Sequence, residues 1–539
     1  MVPTPTLCGK INCKYFHKII PFFLSCRGPG ADVPGPLDTA GFYSAQYSSH
    51  FLGFPLRSTG PRGDNTMYEP STQLNQSAVP IVTLLRLSWP AILEQLLLTA
   101  ANYVDTAMVG SLGADATASV AINSSVCFLL MGLFAAAGVG YSVQVAHALG
   151  GQDLFRARTA VHQAASGALL MGTGAAVCML PLSWFIPQWL GGEPTILSNA
   201  RAYLWFYAMG LPLQALLAVL SAVLRCSGDT RTPLLFNAGT NLLNVCLNYL
   251  LIFPSRQVVI LGCSLSIWGA GLGVTGAAIG TALSGGLMGI SMALFMALRK
   301  GPLQMTAVVL FRPQKSVVRR ALALGIPVFL ERACFSCGQL IVTHMVAGLG
   351  NIALAANHVA VTAEAISYLP AQGVSFAATA AVGQAIGGNQ PVLARRYGVL
   401  SGRIGLCSGL LAGIFLFFCA EPLAGLFSSD PEVIALAADM LRIVAVSEPL
   451  YGLSIVLGGV LRGAGDSRTP FLIVLVGVWA VRLPLGPILL VRCGLDLAAI
   501  WIAMVADLML RGVLCQFFVC KINWPRRAAL VSGKPTTKS

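Results

Sequence analysis

Between residues 83 and 519 the apolar positions gather into twelve long blocks separated by short polar connections. The blocks are roughly 83–106, 118–142, 160–186, 201–223, 234–254, 271–298, 318–343, 354–381, 400–420, 434–460, 470–491 and 496–519. Wound as a helix, each is long enough to cross a hydrocarbon layer of roughly 30 Å. Lipid offers backbone amides no partner, so such blocks must satisfy their own hydrogen bonds as helices. The pattern predicts an all-α polytopic membrane protein with twelve transmembrane helices.

The blocks are written twice. Shifted by 237 positions, Leu87, Pro90 and Glu94 align with Leu324, Pro327 and Glu331. Gly150 and Gly151 align with Gly387 and Gly388, and Pro212 with Pro449. The phrase LRCSGDTRTP at 224–233 returns as LRGAGDSRTP at 461–470, with seven of ten positions identical. Near the end the offset falls to 221, where Gly273, Ala277, Ala278 and Ile279 meet Gly494, Ala498, Ala499 and Ile500. The first half therefore holds sixteen extra residues after its fifth span. Six spans is an even number, so the two lobes run parallel, related by an axis along the membrane normal. This sets an N-lobe over 80–300, a linker over 301–317, a C-lobe over 318–520 and a basic tail over 521–539. Residues 1–75, rich in Gly, Pro and Ser without a sustained period, read as a disordered extension. Met67 offers an alternative start that would remove most of it.

Composition agrees: 56% of residues are hydrophobic and 10% charged, against about 25% charged in soluble domains. The net charge of +14 does not mark a nucleic-acid binder, because its cations cluster in alternate connections. Arg156/Arg158, Arg225/Arg231, Arg299 to Arg320, Arg395/Arg396/Arg403, Arg462/Arg468 and Lys521/Arg526/Arg527 lie on one side. By the positive-inside rule that side is cytoplasmic, with both termini, in a multi-pass protein of the plasma membrane. Most of the fifteen cysteines lie in apolar blocks and read as packing. No HExxH, GxSxG or P-loop occurs, so nothing points to an enzyme or an ATP-driven pump.

The repeated phrase falls between the fourth and fifth spans of each half. Gly228 and Gly465 suit a helix C′ position. Thr232–Pro233 and Thr469–Pro470 read as an N-cap followed by Pro at the first helical position. Arg225, Arg231, Arg462 and Arg468 are expected at headgroup level, binding phosphates or pairing with Asp229 and Asp466. The phrase is a tight hairpin used twice.

Here the chain resembles the multidrug and toxic compound extrusion (MATE) family, bacterial members above all. The resemblance rests on NYVDTAMVGSLGADA (102–116), AHALGGQDLFRAR (146–158), the doubled phrase and WGAGLGVTGAAIGTA (268–282), and it covers about 80–520. It implies two six-helix lobes around a central cavity, and export of organic cations against an inward flow of H+ or Na+. It implies no cofactor beyond that ion. The expected partners are a small cationic substrate and membrane lipid, with no nucleic acid and a monomeric chain. Asp105 lies fifteen residues after Pro90 and aligns with Val342, so it is present in one half only. The resemblance assigns it to ion coupling, with Asn244 and Asn248 on the fifth span as partners. The family often has Asp where Asn248 stands, which weakens a sodium site here.

An ionised carboxylate at the bilayer centre costs about 2.5–3.5 kcal/mol, so a cavity or an ion is expected beside each buried acid. Glu94 and Glu331 form a symmetric pair, each four residues after a proline. They read either as partners of carbonyls freed by a kink or as cavity carboxylates. Glu364 and Glu448 are one-sided acids of the C-lobe and further cavity candidates. Arg332, Arg442 and Arg482 are expected to be buried and paired with acids, Arg332 with Glu364. The competing readings are a lipid-linked oligosaccharide flippase of the wider superfamily, and a receptor or scaffold without transport.

Overall fold

The computed structural model describes residues 79–260, 263–299, 301, 303–305 and 314–533. The expected extension over 1–75, residues 306–313 of the linker and 534–539 of the tail lie outside the described residues. The first half comprises α1 (Pro80–Gly110), α2 (Ala114–Gly150), α3 (Leu154–Leu182), the single turn α4 (Ile186–Trp189), α5 (Pro194–Ser227), α6 (Arg231–Ile252), strands β1 (Pro254–Ile260) and β2 (Cys263–Ala270), and α7 (Gly273–Leu298). The second comprises α8 (Lys315–Ala347), α9 (Asn351–Glu364), α10 (Leu369–Gly387), α11 (Pro391–Phe418), the short α12 (Ala420–Gly425), α13 (Pro431–Ala445), α14 (Glu448–Gly463), α15 (Arg468–Leu475), a π-helical stretch Val476–Arg482, α16 (Leu483–Cys493), α17 (Leu497–Cys520) and α18 (Trp524–Ser532).

Among the described residues ten helices are long and apolar enough to cross a membrane, the fifth span of the second half counting as one helix over Arg468–Cys493. Two more spans are bent pairs, α9 with α10 at 44° and α13 with α14 at 60°. Each break precedes a proline, Pro370 or Pro449, which lies in the first turn of the second helix. A proline has no N–H to donate to the preceding turn and its ring crowds the carbonyl there, so the helical ladder is interrupted just before it. The extra residues are the β-hairpin over 254–270, seventeen positions against the sixteen counted from the offset. It pairs antiparallel, with Val258 opposite Leu265 and Ile260 opposite Cys263.

Each lobe has its own apolar core. Phe134, Leu204, Leu211, Leu220 and Met292 centre the first, and Leu416, Leu441, Val444, Trp501 and Leu508 the second. Helices in lipid associate through close backbone approach, so small residues mark the seams. Between the lobes Gly140 lies against the carbonyl of Ala321. Gly150 lies against the backbone of Gln384, and Gly387 against that of His147. Gly150 and Gly387 are the same position of the two halves, and a Cβ on either would overlap the facing carbonyl. Beside them His147 Nε2–H donates to the carbonyl of Gly463 at 2.9 Å. Gln384 Nε2–H donates to the carbonyl of Cys226 at 3.0 Å. His147 and Gln384 are again equivalent positions, as are Cys226 and Gly463, so each lobe holds the other by the same bond.

The doubled phrase forms tight hairpins, with Gly228 at φ 97° and Gly465 at φ 79°. Its arginines do something other than expected. Arg225 and Arg462 leave Asp229 and Asp466 alone and reach Glu94 and Glu331. Asp229 instead accepts from the Thr232 amide and hydroxyl at 3.1 and 2.9 Å and pairs with Arg299 at 2.7 Å. Asp466 does the same with Thr469 and pairs with Arg527 at 2.9 Å. The aspartate, not the threonine, satisfies the first turn. The helices begin at Arg231 and Arg468, which places Pro233 and Pro470 one residue after Thr232 and Thr469, still within the first turn. Arg231 lies over the Trp89 ring, 5.8 Å from its centre.

Candidate functional site

In the N-lobe one acid gathers three polar side chains. Asp105 is half-buried on α1, and Asn248 Nδ2–H of α6 donates to its Oδ1 at 2.8 Å. Asn244, one turn earlier on α6, brings its amide to 2.7 and 3.0 Å from the two carboxylate oxygens. Across that amide stands Thr281 of α7, whose hydroxyl is 3.3 Å from it and donates to the carbonyl of Ala277 at 3.0 Å. Asn244 and Asn248 are 6% and 1% exposed. Gly280 faces Asn248 so closely that no side chain could stand there. The expected set, Asp105 with Asn244 and Asn248, is brought together. Thr281 completes it, and the sequence reading passed over it because a lone threonine in an apolar helix is unremarked.

With its nitrogen toward Asp105, the Asn244 amide donates to both carboxylate oxygens and its oxygen accepts from the Thr281 hydroxyl at 3.3 Å.

Glu94 and Glu331 are each tied to an arginine 131 residues downstream. Arg225 Nη1 meets Glu94 Oε1 at 2.5 Å, and Asn237 Nδ2–H adds a bond of 2.7 Å to the same oxygen. Arg462 Nη2 meets Glu331 at 2.6 and 2.9 Å. Arg225 also lies 4.8 Å from the centre of the Phe376 ring on α10, in the other lobe. These two acids neutralise the doubled arginines beneath the central seam.

The C-lobe acids sit at the two helix breaks. Glu364 is the last residue of α9, and Glu448 the first of α14. Ser367, in the break of the eighth span, donates to Glu448 Oε1 at 2.9 Å, so the breaks meet. Tyr368 and Tyr451 close over them edge to face, with ring centres 5.8 Å apart. On α17, Asp507 and Arg511 form a buried ion pair one turn apart. The sequence reading missed this pair, although an i, i+4 acid–base spacing inside an apolar helix is its signal. Arg482, 6% exposed, directs Nη2–H to Met504 Sδ at 3.0 Å.

The arginines expected to be buried and paired with acids depart from that expectation, Arg442 keeping the pairing but not the burial. Among the described residues no ion pair joins Arg332 to Glu364. Arg442 is not buried and bonds Glu421 at 2.7 Å and Asp439 at 3.1 Å on an exposed edge. A cavity of about 510 Å³ lies between α8 and α9, lined by Gln339, Thr343, Asn351, Asn357 and His358 among others, and by none of the four carboxylates.

The MatE family model matches residues 90–250 and 327–488, once in each lobe. A probable multidrug resistance protein NorM of Thermotoga maritima is 30% identical over 455 residues, covering 83% of this chain and 94% of that protein. An uncharacterized transporter, YisQ, of Bacillus subtilis is 24% identical and covers 82% and 95% of the two chains. A solved multidrug resistance MATE family transporter of the MOP superfamily, in an outward-facing conformation, shares the fold with a TM-score of 0.75 at 20% identity, over 85% of this chain and 98% of that one. Twelve spans in two like lobes, one model match per lobe and near full-length likeness to these proteins have a single meaning: the chain belongs to the multidrug and toxic compound extrusion (MATE) family of membrane transporters.

Proposed function

We propose that the protein exports organic cations or drugs from the cell in exchange for H+ or Na+, by alternating access across the plasma membrane. The observation that carries this reading is the Asp105 cluster. A carboxylate inside a spanning helix needs a partner charge, and Asp105 has amides and a hydroxyl around it but no arginine or lysine paired with it among the described residues. An arriving proton or sodium ion supplies that charge. Loading weakens the bonds that Asn244 and Asn248 donate to the carboxylate, and unloading restores them. The ion thus changes how α1 is held to α6 and α7, which is the differential contact a coupled transporter requires. The relatives' names as multidrug resistance proteins support the drug class. Basic connections on one side support cytoplasmic termini. One chain holds both lobes, so a monomer suffices.

The test is ethidium efflux from pump-deficient bacteria expressing the wild type or Asp105→Asn at equal level. Efflux by the wild type, lost in the variant and abolished by dissipating either the proton or the sodium gradient, supports exchange and names the ion. Equal efflux by both would remove Asp105 from coupling.

A further inference from the structure

The two lobes repeat their structural bonds in register. Glu94–Arg225 and Glu331–Arg462 are one contact made twice, and so are the bonds of His147 and Gln384. The fifth spans keep register only until the π-helical stretch. In the N-lobe Asn241 Nδ2–H donates to the carbonyl of Leu97 at 3.1 Å. In the C-lobe Trp479 Nε1–H donates to the carbonyl of Cys334 at 3.3 Å. Leu97 and Cys334 are 237 positions apart, but Asn241 and Trp479 are 238. The wide π turn has inserted one residue. From there the counterpart of Asn244 is Arg482, and that of Asn248 is Gly486. The counterpart of Asp105 is Val342.

The C-lobe copy of the ion cluster has therefore lost its carboxylate, lost one amide to a glycine, and gained a guanidinium. Gly486 faces Met345 and Ala503 rather than a polar group. Arg482 is buried, its Nε has no partner among the described residues, and its Nη2 finds only a thioether. The charged groups around it are Asp507, Arg511 and Glu364. Asp507 is already engaged by Arg511. Glu364 ends α9, where the helix dipole disfavours an acid, and it makes no ion pair among the described residues.

We propose that Arg482 is a tethered cation occupying the C-lobe counterpart of the N-lobe ion site, where it permanently balances the carboxylate of Glu364. The C-lobe then holds its positive charge through the whole cycle, and only the N-lobe exchanges one. This rests on the reading of Asp105 as the exchanging site. Removing the guanidinium should leave a cation-shaped vacancy, and free guanidinium is its natural ligand.

The experiment uses the purified full chain in detergent and the same cells. Arg482→Ala is expected to lower the melting temperature and ethidium efflux. Low-millimolar guanidinium chloride should restore at least half of each loss, while sodium chloride or urea at equal concentration should not. Wild type and Asp105→Asn should gain nothing from guanidinium. Arg482→Ala that melts and exports like wild type overturns the proposal, as does a defect that guanidinium leaves unchanged. If the single variant yields no folded protein, Arg482→Gln is compared with Arg482→Gln/Glu364→Gln. A double variant that recovers folded yield supports the charge balance, and one no better than the single overturns it. Because the melting readout does not involve Asp105, wild-type efflux by Asp105→Asn would sink the coupling reading without touching the rescue result.

Discussion

Single residues here divide by whether their charge is answered. Glu94 and Glu331 are answered by arginines, so their neutralisation should read as lost stability. Breaking a buried ion pair by removing one partner costs about 3–5 kcal/mol. Glu94→Gln should therefore melt well below wild type, and Glu94→Gln/Arg225→Met should recover part of the loss; a thermal melt of the three proteins checks this. Glu331→Gln should cost less, because its side chain is 14% exposed against 1% for Glu94 and among the described residues only Arg462 bonds it. Asp105 is not answered; the amides of Asn244 and Asn248 stand against it at 2.7 and 2.8 Å. Asn248→Asp puts a second carboxylate against the first, which adds an anionic oxygen ligand for a metal cation while also raising proton affinity. The expected outcome is ethidium efflux that depends more strongly on external sodium than in the wild type. Unchanged sodium dependence would place the ion elsewhere. The candidate acids could be listed from the sequence, but not their partners. The arginine that meets Glu94 lies 131 positions away, and no local spacing announces it.

At the scale of elements, periodicity located all twelve spans, since a lipid layer admits one answer to a long apolar block. It did not separate straight spans from broken ones. Pro212 lies inside a continuous α5, while its counterpart Pro449 opens a helix after a 60° bend. The same residue kinks or breaks according to what receives the freed backbone groups, and that is decided by neighbouring helices. The sixteen surplus residues could be counted in advance, but a paired hairpin was not foreseen. The second half joins its last two spans by three residues, 494–496, where the first half uses this hairpin. The hairpin is thus an addition to a module that closes without it. Replacing residues 254–270 by the connection 494–496 should leave the melting temperature within a few degrees of wild type, measured on the purified protein. Aggregation on excision would show that the hairpin holds α6 and α7 together.

Over the whole molecule the seam between lobes is made of glycines and of bonds to main-chain carbonyls. Sequence analysis found the duplication but not this use of it, since nothing in the phrase around His147 names Gly463 as its acceptor. The C-lobe itself supplies a substitute for the histidine. His147→Gln should keep the bond, because Gln384 makes the same one from the equivalent position. His147→Ala should lose it and loosen the seam between the lobes. Labelling rates of a cysteine placed at Gly465, beside the His147 ring, would distinguish them: faster in the alanine variant and unchanged in the glutamine variant. Equal rates in all three would mean that the glycine packing alone holds the seam.

A joint of this kind also explains how two copies of one module came to differ. The accepting groups of Cys226 and Gly463 are peptide oxygens, which every amino acid supplies. Drift on the receiving helix cannot abolish them, so the donor and a few glycines are all that the pairing demands of the sequence. The remainder of each copy was left open to specialise. One could keep an aspartate ringed by amides, while the other took valine, glycine and arginine in its place, and the halves still recognise each other as twins.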